Sequence, residues 1–199
     1  MNDSLAALAN RPFSRDGRIT RMFRAAGVDD FMGVARHVLG LPYGRIADRA
    51  EFWRALSERR GTCTTKHALL AALAREQQIE VQLTLGIFAM NEGNTPGVER
   101  VLERYGLTCV PEAHCHLRHG GERIDVTGVP AGAEPMEEFL HEEPITLEQI
   151  GASQALLAGM DRARGGWTGA HPRKTMLRMA AVFGTILLLL SGRRCVSAY

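Results

Sequence analysis

The sequence predicts an α+β fold, and three observations predict it. Apolar residues recur at helical spacing through the first half of the chain, strand-like alternation begins only at residue 81, and a glycine-rich turn near residue 120 separates two short runs as in a hairpin. Helices first and strands afterwards is the order of an α+β domain, not of a wound parallel sheet.

Each element has its own justification. Asp29 and Asp30 suit the start of a helix whose Phe31, Val34, Ala35, Val38 and Leu39 share one face, with Gly40 ending it and Leu41-Pro42-Tyr43-Gly44 forming a turn. Asp48 is placed to cap a second helix carrying Phe52, Ala55 and Leu56, with Arg59-Arg60 complementing its C-terminal dipole before Gly61 breaks it. Thr62 caps a third, whose Leu69, Leu70, Leu73 and Ala74 form an apolar stripe, so Cys63 falls in its first turn. Val81, Leu83, Leu85, Ile87 and Ala89 then alternate with Gln82, Thr84, Gly86 and Phe88 as a strand. Residues 91–97 are turn-rich, and 98–105 suit a short helix. Runs 114–117 and 123–127 flank His119-Gly120-Gly121 as a hairpin. Residues 130–144 read as acidic loop, Thr146 opens a helix through 157, and Gly165-Gly166 interrupts the chain.

A chain of 199 residues holds one domain with a real core, expected over residues 1–170. Its 45% hydrophobic and 23% charged residues are those of an ordinary soluble domain, and a net charge of +2 with scattered arginines gives no footprint for nucleic acid or an acidic membrane. The opening MNDSLAALANRPFSRDGR has no apolar run of signal length, so Cys63, Cys109, Cys115 and Cys195 are expected to be reduced thiols in a cytoplasmic protein. Residues 171–199 form an atypical apolar tail. Its run at 179–190 is far shorter than the roughly 20 residues of a membrane span, so the expectation is packing on the domain, with no firm membrane evidence.

The chemistry centres on Cys63. A thiol is nucleophilic as thiolate, and a helix N-terminus favours that charge while its unpaired N–H groups serve an oxyanion. Gly61 is expected to let a substrate backbone approach closely. On the hairpin, His114 and His116 share one face while Cys115 takes the other, and Arg123, Asp125 and Thr127 share a face of the second strand. A carboxylate across from a histidine orients an imidazole as general base. A turn centred on His119-Gly120 pairs 114 with 125, whereas one centred on Gly120-Gly121 pairs 116 with 125. Periodicity leaves both open.

Taken together, Gly61-Thr62-Cys63-Thr64-Thr65-Lys66-His67-Ala68, the apolar strand, Glu112-Ala113-His114-Cys115-His116 and Ile124-Asp125-Val126-Thr127 resemble the core of the transglutaminase-like superfamily over about residues 40–130. The resemblance implies a papain-like Cys-His-Asp fold in which the nucleophile helix packs on a small antiparallel sheet. It implies Cys63 as nucleophile, Asp125 as orienting acid and, from the family pattern His-x-aromatic, His114 as base with the earlier register. His116 stands where the aromatic residue belongs, as an alternative base or a site wall, and Trp53 is the nearest tryptophan to Cys63 in sequence. The activity implied is thiol-dependent acyl transfer or amide hydrolysis through a Cys63 thioester, acting on a peptide, a protein side-chain amide or a small amide, with no metal and no cofactor. Two other readings stand beside it. One is a binding module that keeps the fold without the activity. The other is a zinc site from His114, His116 and His119 with Cys109 and Cys115, against which stand Cys115 facing away from His114 and His116 on a strand and the lack of any Cys-x-x-Cys pair. His37, His67, His141 and His171 read as ordinary helix-face or surface residues.

Overall fold

The computed structural model describes residues 10–128, 132–134, 136 and 138–151. It is mixed: helices α1 (Arg18–Ala25), α2 (Phe31–Leu39), α3 (Arg54–Ser57), α4 (Cys63–Gln77) and α5 (Glu99–Arg104) accompany strands β1 (Gln82–Met90), β2 (Val110–His119), β3 (Glu122–Ile124) and β4 (His141–Pro144). The strands form a small antiparallel sheet ordered β3-β2-β1-β4, and a 3₁₀ turn follows at Leu147–Ile150. By density of packing the described residues fall into two compact units. One holds 10–86, 114–128 and 142–151; the other holds 87–113, 132–134, 136 and 138–141.

In the first unit α4 is the central element. The apolar stripe expected for it is an understatement, because Cys63 through Ala74 are all buried and the helix packs against α1, α2 and the 3₁₀ turn. A helix covered on every side needs no polar face, so its polar residues sit inside the protein and require internal partners. The caps follow local rules. Asp30 accepts from Gly33 N at 2.7 Å, and Phe31, Val34, Ala35 and Val38 are buried as their spacing requires. At the α4 start, the Thr65 hydroxyl accepts from Thr62 N at 2.9 Å.

The end of α4 holds α1 in place. Glu76 accepts from Ile19 N, Thr20 N and the Thr20 hydroxyl at 2.9, 2.8 and 2.7 Å, a remote carboxylate satisfying a helix N-terminus. Gly17 is the N-cap, and a Cβ there would lie 2.2 Å from Glu76 Cδ. The second unit has a small core of its own: Phe88, Met90, Val98, Val101, Leu102 and Val110, covered in part by Tyr105, Leu107, Met136 and Phe139.

Several expectations need correction. The segment after Asp48 is mostly turn, with Asp48 accepting from Ala50 N at 2.8 Å and only Arg54–Ser57 helical. The acidic stretch before residue 144 contains β4, joined to β1 through Leu140 N to Ile87 O and Ile145 N to Leu83 O. Its HEEP sequence lacks apolar alternation because it lies at the sheet edge, half exposed. β1 alternates in sequence yet is buried from Leu83 to Phe88, as an inner strand is. The helix expected from Thr146 is a 3₁₀ turn as far as residue 150, and the remainder of it, Gly165-Gly166 and the tail at 171–199 lie outside the described residues. Among the described residues no helix is long and apolar enough to cross a membrane.

Candidate active site

Cys63 is the first residue of α4, following a Thr62 with extended backbone (φ −87°, ψ 172°). Its sulfur lies 3.8 Å from the Thr64 hydroxyl. Gly61, two residues earlier, is buried. A Cβ there would lie 3.0 Å from Lys66 Cγ and 3.0 Å from Thr65 Oγ1. The glycine therefore makes room for the protein's own side chains, not for a substrate backbone as expected.

The hairpin brings the other groups. Leu117 pairs with Ile124 and His119 with Glu122, around a turn in which Gly120 and Gly121 both have positive φ, 58° and 88°. That is the later of the two registers, the one that sets residue 116 opposite 125. The earlier register implied for His114 is thus overturned. Even so, it is His114 that meets Asp125, Nε2 to Oδ2 at 2.5 Å. The reason is that β3 ends at Ile124, so Asp125 and Thr127 do not share a strand face with Arg123. Asp125 leaves the ladder and reaches diagonally, and Thr127 N donates to its Oδ1 at 2.8 Å.

The electrostatics follow from this placement. Burial opposes charge on all three groups, and in each it is outweighed. For Cys63, the hydrogen bond and charge of His114, then the Cys115 backbone N–H and the Thr64 hydroxyl, hold the thiol below its ordinary value. For His114, burial pulls down, but Asp125 and Cys63 raise the imidazole from 6.5 to about 10. For Asp125, His114 and then His67 and the Thr127 N–H hold the carboxyl well below the usual range. These shifts all act in the direction of a thiolate beside an imidazolium, backed by a carboxylate. Cys115, by contrast, is pushed up by burial and by the Cys63 charge and stays a thiol.

Two side chains of the same helix belong to this cluster although their sequence context marks them as ordinary. His67 is fully buried; its Nδ1 lies 2.8 Å from the Cys63 carbonyl, and its Nε2 accepts from Val126 N at 2.9 Å. Those bonds fix a neutral tautomer, and burial lowers the group from 6.5 to about 4. The approach of Nε2 to Asp125 Oδ1, 3.5 Å, is therefore not an ion pair. Lys66 is buried as well, with Nζ 2.6 Å from Leu41 O, 3.0 Å from Thr127 O and 3.4 Å from Leu39 O. The available signal was a run of four polar residues, Thr64 to His67, ahead of an apolar stretch from Ala68 to Ala74.

His116 has a different partner. Its Nε2 lies 2.9 Å from Glu142 Oε1, and Arg118 Nη2 lies 2.8 Å from both oxygens of the same carboxylate. Its ring runs nearly parallel to that of His114, 16° apart with centroids at 6.4 Å, and burial lowers it to about 3. His119 points elsewhere, Nδ1 to the Glu80 carbonyl at 2.5 Å. Among the described residues no group of three or more histidine, cysteine or acidic side chains is placed to hold a metal ion, and Cys63, Cys109 and Cys115 are free thiols. No family model, curated protein or solved structure matches this chain.

Proposed function

We propose that the protein is a thiol-dependent acyltransferase or amide hydrolase of transglutaminase-like type, with Cys63, His114 and Asp125 as nucleophile, base and orienting acid. The observation that carries the reading is the hydrogen-bonded line from Asp125 through His114 to a cysteine at a helix N-terminus. With Nε2 committed to Asp125, Nδ1 is the ring nitrogen left for Cys63.

The steps follow from that line. The thiolate of Cys63 attacks an amide or ester carbonyl, forming a carbon–sulfur bond, and the oxyanion is received by the Cys63 and Thr64 N–H groups at the start of α4, ahead of the Thr65 N–H that the Thr62 side chain takes. His114 passes its Nδ1 proton to the leaving amine or alcohol as the carbon–nitrogen or carbon–oxygen bond breaks, leaving a Cys63 thioester. His114, now neutral, takes a proton from water or from an acceptor amine as that nucleophile displaces the thiolate. Asp125 keeps the ring oriented and stabilises the imidazolium in both halves. A peptide, a protein side-chain amide or a small amide fits this chemistry.

An activated ester tests the reading. Incubation with p-nitrophenyl acetate is expected to add one acetyl group, which peptide mass mapping places on Cys63 and which is absent in Cys63→Ala and strongly reduced in His114→Ala. Acetylation spread evenly over the cysteines, or undiminished in His114→Ala, contradicts it.

A further inference from the structure

We propose that Lys66 is a positioning residue for the Cys63–His114–Asp125 group, its ammonium fixing the backbone on both sides of the reacting atoms. The inference rests on the functional reading above and goes beyond it.

The geometry is that of a three-way tie. An ammonium has three N–H donors, and the carbonyls of Leu41, Thr127 and Leu39 take them at 2.6, 3.0 and 3.4 Å. On one side, residues 42–44 grip the entry to the nucleophile: Gly44 N donates to Gly61 O at 3.2 Å and Gly61 N to Pro42 O at 3.1 Å. On the other, Thr127 is the residue whose N–H holds Asp125 Oδ1. One side chain therefore joins the loop that leads into Cys63 to the loop that carries Asp125, and the absence of a Cβ at Gly61 leaves room for its stem.

A purely structural role explains the placement poorly. Lys66 is 0% exposed, and a buried cation whose donors all go to carbonyls is costly, where an apolar side chain of similar volume would serve packing at less cost. Burial accordingly pulls the ammonium down, and the charges of Asp125 and Cys63 hold it up. Those are the anions of the site. The other ionisable groups around them are His67, which the Lys66 charge helps to keep neutral, and His114. The cation is thus matched to a thiolate and a carboxylate that exist together only when the site is charged for reaction.

The test compares the pH profile of Cys63 carbamidomethylation in wild type, Lys66→Met and Lys66→Arg, with thermal melts reporting folding. If Lys66 positions the group, folded Lys66→Met reacts about tenfold more slowly below neutral pH, its midpoint displaced upward by about one unit, and Lys66→Arg lies between it and wild type. A folded Lys66→Met with the wild-type profile overturns the inference while leaving the functional reading intact. If wild-type Cys63 itself titrates as a free thiol, the functional reading fails. Lys66 is then judged by the low-field proton of the His114–Asp125 hydrogen bond in Cys63→Ala: its loss on adding Lys66→Met supports positioning, and its persistence overturns it. Should Lys66→Met not fold, the ¹⁵N ammonium resonance of Lys66 in the intact protein decides. Carbamidomethylation of Cys63 is expected to shift it, and an unmoved resonance overturns the inference.

Discussion

Replacing His67 with Phe separates its hydrogen bonds from its volume. The phenyl ring fills the same buried space, yet Val126 N–H loses its acceptor and the Cys63 carbonyl its side-chain donor. A buried donor left unpaired costs about 1–3 kcal/mol, which is the destabilisation expected near neutral pH. The pH dependence gives a second number. His67 is held at about 4 in the native protein against an ordinary 6.5, so the unfolded chain binds the proton more readily as pH falls. That group's contribution is present above the unfolded value and declines as pH drops from about 6.5 through about 4. Between about pH 7 and about pH 5 the loss amounts to about 2 kcal/mol. Phe cannot take the proton, so the deficit of His67→Phe should shrink by about 2 kcal/mol over the same interval. The raised His114 contributes in the opposite sense, fully below about 6.5 and lost as pH rises through about 10, and the lowered His116 adds to the acid loss. Both are present in the two proteins, so their own titration largely cancels in the difference. Urea denaturation at the two pH values, read as midpoint and slope, measures it. A deficit that stays constant with pH, or grows in acid, refutes the assignment of His67 as a buried neutral bridge.

Four further substitutions test the frame around the site. Glu76→Ala leaves three donors of the α1 N-terminus without their acceptor and should cost about 1–3 kcal/mol in urea denaturation; a loss within about 0.5 kcal/mol is the surface-residue result and would contradict the cap. Gly17→Ala forces that carboxylate aside, so its cost should largely vanish in a Glu76→Ala background, where additive costs would show the two to be independent. In the hairpin turn, Gly121→Val should cost about 1–2 kcal/mol because a β-branched residue is strained at φ 88°, whereas Gly120→Asn should be neutral or slightly stabilising. Equal effects at the two positions would contradict the primed turn.

Much of the frame was legible because it is set by neighbours in sequence. Asp30, the spacing of Phe31 to Val38 and the Thr62 cap depend on local hydrogen bonds, and the structure places them as the pattern requires. What escaped depends on residues far apart. The burial of α4 on all sides hides Lys66 and His67 from any test of periodicity, since apart from the Cys63 carbonyl their partners are carbonyls and N–H groups at 39, 41, 126 and 127. β4 escaped because an exposed edge strand has no apolar face to show. The proposed base illustrates the point most closely. Two registers were open, and the one formed sets 116 opposite 125, yet Asp125 pairs with His114 because the strand ends one residue before it. Alternation assumes a regular strand and has no term for where the strand stops.

The central claim concerns the protonation state of one thiol. It is tested most directly by carbamidomethylation of Cys63 as a function of pH in wild type, His114→Ala and His116→Ala, with each cysteine followed separately by peptide mass mapping. Cys63 is expected to react as thiolate well below about pH 8.5 in wild type and in His116→Ala, and only His114→Ala is expected to lose this advantage. Slow, uniform labelling of the cysteines in wild type, or a loss that follows His116 in place of His114, would contradict it.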